Sequence, residues 1–334
     1  MKDEQKKGLI IFIVARLSQL TEIKQHSVFL KAKQSYKTVL IAAEEVKDGI
    51  PNESLGLFDE MEFLSADIDD GLFLLFDPDK LREKIIKHTQ NYHPEQCYVF
   101  FSGECNITTV ADATKGLGIH TFDHTKAILF RNKDKMKEYL AGYSINVPKH
   151  IHDFKNHSFD HLSKTLGCPF VIKPVDRAGS QGFNLIDNES QYISLLDGLD
   201  DPEEYTAETF INGTLYHFDS TRVDGNVVVE TLSEYGHPLG DSLKGKAAFS
   251  ILVPEPNEAQ QKLVVEHRKV LDAFNVDGNF HTEYFLSENG DVCFLEIAWR
   301  PAGRPVNCNY SQYTGLDQTS VYIGLKTKTI DQSD

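Results

Sequence analysis

Two glutamates lie in neighbouring apolar segments near the end of the sequence. Glu283 falls in His281–Leu286, Glu296 falls in Val292–Ile297, and Glu288-Asn289-Gly290-Asp291 separates the two segments. An Asn-Gly pair between apolar runs predicts a β-hairpin, which would place the two strands side by side. Buried carboxylates that approach each other need a neutralising cation, and Mg²⁺ binds carboxylates together with phosphate oxygens. The spacing is compatible with a magnesium site, and equally with two glutamates that point outward from a half-solvated sheet.

An arginine follows the second glutamate. Arg300 lies four residues after Glu296, in Trp299-Arg300-Pro301-Ala302-Gly303-Arg304. A guanidinium just beyond a metal-binding carboxylate could hold a carboxylate or phosphoryl oxygen with its planar fork. Taken alone, a surface arginine is the simpler interpretation.

A third candidate segment precedes these residues. Phe170-Val-Ile-Lys173 predicts a short strand ending at Pro174, and the loop Gly179-Ser180-Gln181-Gly182 follows. A lysine at a strand end before a small-residue loop is a phosphate-binding arrangement. The glycines let backbone N–H groups approach an anion, and the lysine adds a positive charge.

The elements that must position these residues divide the chain into two parts. Strands alternate with helices at the start, which predicts βαβ units around a parallel sheet and an α/β class. The predicted strands there are Leu9–Val14, Thr38–Ala42 and Cys97–Phe101, and the predicted helices include Val28–Lys33 and Leu81–Thr89. The second part predicts helices over Leu129–Ala141, Asn257–Phe274 and Asp317–Lys326, and further strands over Tyr205–Ile211, Tyr216–Val223 and Val227–Thr231.

Composition restricts the classes of function. The 334 residues suit two or three packed units, and the formal net charge of −16 disfavours nucleic acid and anionic lipid as partners. No stretch is long enough for a membrane span, and Met1–Lys7 has no signal-peptide core, so we expect a cytoplasmic protein. The five cysteines are scattered, which disfavours disulfides or a zinc site built on them: Cys97, Cys105, Cys168, Cys293 and Cys308.

Taken in order, these segments resemble the ATP-grasp superfamily, from near Phe100 to about Gly315. The resemblance implies an ATP-grasp fold, α+β in its ATP-binding lobes, after an N-terminal parallel-sheet βαβ domain. It places the N-terminal domain at residues 1–115 and the ATP-grasp domain at 116–330. Within the latter, the small lobe would cover 145–212 and the C-terminal lobe 213–330.

The resemblance also assigns the ATP contacts. Counting back from Val147-Pro148 makes Lys133 the first ATP lysine, with Lys135 as the alternative if the register slips by two. Lys173 would contact the α- and β-phosphates, and the loop Gly179-Ser180-Gln181-Gly182 would fold over the triphosphate. The segment Glu208-Thr-Phe210-Ile211-Asn-Gly213 is similar to the hinge that holds adenine.

The resemblance also implies which residues bind the metal and the substrate, and which reaction follows. Glu283 and Glu296 fall on the metal carboxylates, and Arg300 falls on the arginine that clamps the substrate. The cofactors would be ATP and Mg²⁺, with Mn²⁺ as an alternative ion. A small carboxylic or amino acid would be activated as an acyl phosphate, with Lys173 and Arg300 as catalytic residues, and joined to an amine with release of ADP and phosphate. A lid must exclude water, and Gly179–Gly182 and Gly236–Lys246, with Lys244 and Lys246, are the candidates.

Two positions depart from the family pattern. Leu215 replaces a ribose-binding glutamate, and His217 and Asp219 are candidates to substitute for it, although ordinary strand alternation explains them equally well. Ala298 replaces an asparagine that ligates the second metal. The pattern Glu-x-Ala-x-Arg-Pro-x-Gly around Arg300 resembles the branch that includes carnosine synthase and bacterial dipeptide ligases.

Several alternatives remain open. The chemistry could instead be that of a purine-pathway or carboxylase-like ligase, a small-molecule kinase or a non-catalytic ATP-binding module. Few residues follow Arg304, so we expect either an open active site or one completed by a second subunit, as in a homodimer. Glu104, at the end of the third predicted strand, faces either the substrate or a helix start.

Overall fold

The structure is a computed structural model. It describes residues 6–21, 23, 26–69, 73–177, 179, 181–199, 201–237, 249–303 and 306–330, and the statements below concern those residues. No helix among them is long and apolar enough to cross a membrane. Their strands form one parallel sheet, two larger antiparallel sheets and a two-stranded hairpin.

The first part of the chain contains the predicted parallel sheet, in the order β3-β2-β1-β6. Every residue of the central strand β1 is buried, as is typical of a parallel strand covered on both faces. Three strands are absent from the sequence prediction, because β3 is largely exposed and β4 and β5 are four residues long. The strands are β1 (Gly8–Val14), β2 (Tyr36–Ala43), β3 (Glu60–Leu64), β4 (Ala66–Asp69), β5 (Phe73–Phe76) and β6 (Cys97–Phe101).

Helices cover this sheet, and both helices predicted here are confirmed within α2 and α4. The helix α4 begins where Asp77 caps it, accepting the N–H groups of Asp79 and Lys80, with Pro78 at the first helical position. The helices are α1 (Leu17–Thr21), α2 (His26–Ser35), α3 (Asn52–Leu55), α4 (Pro78–Thr89), α5 (Ile107–Thr114) and α6 (His124–Ala127).

The next helix corrects the sequence prediction. The predicted single helix Leu129–Ala141 is wrong at its start, because α7 covers only Lys133–Ala141. Asn132 has an extended backbone, and its side chain accepts the N–H of Lys135 as a cap. Lys133 is therefore the first residue of α7, at the end of the helix that faces the small sheet.

The small sheet is antiparallel, in the order β7-β10-β8-β9. The helices α8 and α9 flank it, and Phe154, Phe170 and Tyr192 belong to its core. The elements are β7 (His150–Ile151), α8 (Phe159–Leu166), β8 (Phe170–Pro174), β9 (Asn184–Ile186), α9 (Glu189–Gly198) and β10 (Tyr205–Thr209).

The large sheet is antiparallel, in the order β13-β12-β11-β14-β15. One face packs against α10 through buried aromatic residues such as Tyr284 and Phe294. Alternation along the strands turns Glu283 to the opposite face. The elements are β11 (Thr214–Val223), β12 (Asn226–Tyr235), β13 (Ser250–Leu252), α10 (Glu258–Phe274), β14 (Gly278–Leu286), β15 (Val292–Ala298), α11 (Cys308–Thr314) and α12 (Gln318–Lys326). The domain boundaries given above stay a prediction.

Candidate active site

The two glutamates of the predicted hairpin are cross-strand partners. Glu283 on β14 pairs with Glu296 on β15. The register shifts next to this pair: Tyr284 pairs with Phe294, and Leu295 has no partner in the ladder. This bulge puts Phe294 in the core while Glu296 lies beside Glu283. The hairpin therefore brings the carboxylates together, as the Asn-Gly turn predicts.

The two carboxylates have different surroundings. Glu283 is 4% exposed and accepts hydrogen bonds from Tyr235 Oη at 2.8 Å and His281 Nε2 at 3.3 Å. Burial opposes its ionisation, but the hydrogen bond and charge of His281 outweigh burial and hold the pKa of Glu283 below its usual value. Glu296 is more accessible, with 34% of its side chain exposed. This all-oxygen pair fits the donors that Mg²⁺ prefers, and the magnesium role stays a prediction.

Lys133 joins the small sheet to the glutamates. Its Nζ donates to the carbonyl oxygen of Arg177 at 2.6 Å and lies 3.5 Å from Glu296 Oε2. Its backbone N–H donates to Val175 at 2.8 Å. Lys135, the alternative ATP lysine, is exposed instead. The geometry therefore favours Lys133 as the residue that faces a nucleotide.

The leading glutamate of the hinge motif lies between two lysines. Lys173 Nζ is 2.8 Å from Glu208 Oε2, and Lys137 Nζ donates to Glu208 Oε1. Although burial opposes ionisation of Glu208, the two ammonium groups lower its pKa to about 2. Burial in turn lowers the pKa of Lys137 to about 8. Because the carboxylate already has these partners, an adenine contact here would come from the backbone.

Lys137 is fully buried and belongs to none of the sequence motifs. One sequence signal points to it: Lys133 and Lys137 are four residues apart and therefore lie on the same face of a helix.

The two remaining hinge residues lie between β10 and β11, where Phe210 is exposed and Ile211 is half-buried. Nearby, a Cβ on Gly213 would lie 2.7 Å from the carbonyl oxygen of Leu286. This close approach requires glycine.

The predicted phosphate loop is described in part. Gly179 and Gly182 have positive φ angles of 67° and 69°, a conformation that favours glycine. Gln181 is half-buried between them. Ser180 lies outside the described residues, as do Lys244 and Lys246 of the second candidate lid and Arg304. The ATP role of this loop stays a prediction.

Arg300 contacts the N-terminal part of the chain. Its Nε and Nη2 both donate to Glu104 Oε2, at 3.0 and 2.6 Å. Arg131 Nη1 donates to the other oxygen of Glu104 at 3.2 Å. Burial opposes ionisation of Glu104, but Arg300 and Arg131 lower its pKa to about 2. The sequence predicts that Glu104 faces either the substrate or a helix start. It does not predict the pairing with Arg300, because the two residues are 196 positions apart in sequence.

A cavity of about 190 Å³ adjoins this pair. It lies where β1 and β6 end, the edge at which open α/β sheets bind ligands. Its wall includes apolar Phe73 and Phe101 with charged Arg16, Glu104 and Arg300. The cavity therefore combines charged and apolar lining residues.

The two residues proposed for the ribose are buried. His217 and Asp219 on β11 are 0% exposed, and Leu215 is 6% exposed. Asp219 Oδ1 accepts a hydrogen bond from His281 Nδ1 at 2.9 Å, and Asp219 Oδ2 lies 3.0 Å from His217 Nδ1. The imidazoles hold the pKa of Asp219 well below its usual range despite burial. The ribose role stays a prediction, and this arrangement does not favour it.

Comparison with solved structures establishes the fold. The L-amino acid ligase from Bacillus licheniformis matches with a TM-score of 0.70 and 18% identity, over 98% of this chain and 76% of that one. The N5-carboxyaminoimidazole synthetase from Staphylococcus aureus, solved with ADP, matches with a TM-score of 0.67 and 21% identity, over 96% and 78%. The chain therefore has the ATP-grasp fold, as the motifs predict.

Proteins related in sequence are named as ligases or as a synthase. The L-arginine-specific L-amino acid ligase of Bacillus subtilis is 26% identical over 187 residues, 53% of this chain and 45% of that protein. A D-alanine–D-alanine ligase of Geobacter sulfurreducens is 21% identical over 176 residues, 52% and 56%. An N5-carboxyaminoimidazole ribonucleotide synthase of Staphylococcus aureus is 26% identical over 196 residues, 55% and 50%.

No family model matches the chain. The chain spans about half the length of the curated relatives it matches. Its fold and these relatives nevertheless confirm the resemblance to the ATP-grasp superfamily. These relatives are named as amino acid ligases and as an N5-carboxyaminoimidazole ribonucleotide synthase.

Proposed function

We propose that this protein is an ADP-forming carboxylate–amine ligase that joins a small carboxylic or amino acid to an amine. One observation carries the proposal: Lys133 links the small sheet to Glu296, which is the cross-strand partner of Glu283. A lysine and two convergent carboxylates supply the positive charge and the metal ligands that phosphoryl transfer needs. The ATP-bearing cleft would lie between the two antiparallel sheets.

Each group has a proposed part in the reaction. Lys133 and Lys173 would bind phosphate oxygens, with Glu208 and Lys137 fixing the position of Lys173. Mg²⁺ held by Glu283 and Glu296 would neutralise charge on the γ-phosphoryl group. Arg300 would orient the carboxylate that attacks this group, giving an acyl phosphate and ADP. An amine nitrogen would then attack the acyl carbon, form the amide bond and expel phosphate.

The cavity beside Arg300 supports a small substrate. Its volume of about 190 Å³ is below the roughly 300–1,000 Å³ of pockets for drug-sized ligands. The guanidinium of Arg300 can pair with a carboxylate, and Glu104 can pair with an ammonium group. These features favour an amino acid as the activated acid.

A second candidate is carboxylation of an aminoimidazole ribonucleotide. The Staphylococcus aureus synthase favours it, because its 26% identity over 196 residues equals the identity of the L-amino acid ligase. The small cavity argues against a ribonucleotide there. A kinase that stops at a phosphorylated acid would share the first step but form no amide.

The test is a substrate screen on the whole chain with ATP and Mg²⁺. ADP and phosphate release is measured for each amino acid alone and in pairs, and mass spectrometry identifies the product. We expect release that depends on an amino acid and a dipeptide or other amide as product. ADP release only with bicarbonate and aminoimidazole ribonucleotide would support the second candidate, and phosphorylated acid without amide would support a kinase. No ATP turnover under any condition would leave a non-catalytic ATP-binding module.

The same preparation tests the quaternary structure. We propose a homodimer as the alternative to an open monomeric site. Light scattering coupled to size exclusion gives the mass in solution, for comparison with the 37.7 kDa of one chain.

A further inference from the structure

Three buried side chains lie together on the face of the large sheet that carries Glu283. His217 and Asp219 belong to β11, and His281 on β14 is the cross-strand partner of Asp219. His217 and Asp219 are fully buried, and His281 is 9% exposed. One ligand atom from each of the three lies within 4.8 Å of the others. We call these residues the His–Asp–His cluster.

The nitrogen and oxygen atoms of this cluster are close enough to share one ion. His217 Nδ1 is 3.0 Å from Asp219 Oδ2, and His281 Nδ1 is 2.9 Å from Asp219 Oδ1. Two ligand atoms bound to one tetrahedral ion at about 2.0–2.2 Å lie roughly 3.3–3.6 Å apart. Each histidine–aspartate pair would therefore need to open by only about half an ångström to share an ion.

Hydrogen bonding leaves three atoms of the cluster unsatisfied. Within the part of the chain that the structure describes, both ring nitrogens of His217 and Oδ2 of Asp219 are buried and have no hydrogen-bond partner. The 3.0 Å approach of His217 Nδ1 to this oxygen is an ion-pair contact without hydrogen-bond direction. Buried polar groups are normally paired, and those that are not need an explanation. A bound cation would supply a partner for these atoms.

The second nitrogen of His281 faces another carboxylate. His281 Nε2 is 3.3 Å from Glu283 Oε1 and 3.2 Å from Tyr235 Oη. Histidines that bind metals usually donate their other N–H to a carboxylate, which fixes the ring. With Nδ1 towards the cluster and Nε2 towards Glu283, His281 has this arrangement.

We propose that the His–Asp–His cluster binds one divalent transition-metal ion, with Zn²⁺ as the preferred ion. Two imidazoles and a carboxylate form a donor set that suits Zn²⁺, whereas the oxygen ligands of Glu283 and Glu296 suit Mg²⁺. The ion would hold His281 and, through its Nε2–H, the position of Glu283. This site is distinct from the proposed magnesium site, and its existence does not depend on the proposed ligase activity.

Cobalt binding tests this proposal without ATP or substrate. The whole chain is treated with a chelator, dialysed and titrated with Co²⁺, whose visible absorption is strong in a four-coordinate site and weak for the hydrated ion. We expect one strongly absorbing Co²⁺ per chain, displaced by Zn²⁺ but not by excess Mg²⁺. Elemental analysis after equilibration with Zn²⁺ and excess Mg²⁺ should give one zinc per chain.

Two variants separate the cluster from the glutamate pair. His217→Asn keeps a side-chain N–H near Asp219 but removes an imidazole ligand. It should weaken Co²⁺ binding by more than the roughly 10–100-fold that loss of an outer hydrogen-bond partner costs. The melting temperature of the metal-free protein should change little. Glu296→Gln should keep the cobalt spectrum, because Glu296 is not in the cluster.

Three results would overturn the proposal: no strong visible Co²⁺ absorption in the wild type, wild-type binding by His217→Asn, or loss of the absorption in Glu296→Gln. If His217→Asn does not fold, Asp219→Asn takes its place. The zinc stoichiometry of the wild type decides the question in either case. Failure of this test leaves the ligase proposal standing, because the substrate screen is independent of it.

Discussion

Arg300 donates two hydrogen bonds to a single carboxylate oxygen of Glu104, at 2.6 and 3.0 Å. The pair connects the loop after β15 with the loop after β6 and lies in the wall of the cavity. A substrate carboxylate that binds Arg300 must therefore share or displace Glu104. Glu104 therefore holds Arg300 in position before the substrate binds. The negative charge of Glu104 also compensates the positive charge of Arg300.

Arg300→Lys should reduce kcat/KM about 100-fold or more, because an ammonium group cannot reproduce the two-pronged contact of a guanidinium. Steady-state release of ADP with the best acid from the screen measures the loss. Arg82→Lys is the matched control, since Arg82 contacts only the carbonyl oxygens of Ala113 and Lys115 among the described residues. Near-wild-type kinetics of Arg300→Lys would transfer the role to Arg304.

Lys133→Met should weaken ATP binding by about 10–100-fold, the equivalent of one hydrogen bond between charged groups. Lys135→Met should bind ATP nearly as well as wild type, because Lys135 lies two residues further along α7 and is exposed. Calorimetric titration with a non-hydrolysable ATP analogue compares the two variants. The opposite order would mean that the motif register is displaced by two residues.

Glu296→Ala should abolish turnover, because the proposed metal would lose one of its two protein carboxylates. Glu288→Ala, in the exposed turn of the same hairpin, should retain wild-type ADP release. Circular dichroism of both variants controls for folding. Turnover close to wild type in the first variant would remove Glu296 from the metal site.

Stability should fall as the pH drops from about 5 towards 2. Glu104 and Glu208 have folded-state pKa values of about 2, so the unfolded chain, with glutamate pKa values near 4.3, binds protons first. Stabilisation by these groups is complete above the unfolded pKa and is lost as pH falls through the folded pKa. A shift of two units corresponds to about 3 kcal/mol per group.

Melting temperatures across this pH range measure the effect. Glu104→Gln should be less stable than wild type at pH 7 and should show a shallower decline below pH 5. Glu288→Gln, exposed in its turn, should follow the wild-type curve. An unchanged slope in Glu104→Gln would show that its carboxylate does not carry the pH dependence.

Gly213→Ala should destabilise the connection between the two antiparallel sheets. Its Cβ would meet the carbonyl oxygen of Leu286 at 2.7 Å, and relief of such contacts costs about 1–3 kcal/mol. A lower melting temperature and a raised KM for ATP are expected. Gly198→Ala, where a Cβ meets nothing within 4 Å, is the control. Equal effects of the two substitutions would argue against a hinge role.

Local patterns predicted much of the fold and some of the site. The Asn289-Gly290 turn predicts the hairpin that carries Glu283 and Glu296, but the bulge at Leu295 that makes them cross-strand partners has no such local signal. The two partners of Glu208 and the pairing of Glu104 with Arg300 were not predictable this way. They depend on how β8 and β10 pair and on how α7 and the loops after β6 and β15 pack, and no local spacing encodes such contacts between residues tens to hundreds of positions apart.

The bulge at Leu295 decides which face of the large sheet carries Glu296. The identity of the bulged residue matters much less than its being left out of the ladder. Strict alternation along β15 would put Glu296 on the same face as Phe294, inside the core. The unpaired Leu295 reverses that assignment. A homologue could therefore lengthen the Glu288–Asp291 turn and keep the site, whereas a regular ladder that placed Leu295 opposite Glu283 would bury Glu296 and separate the two carboxylates.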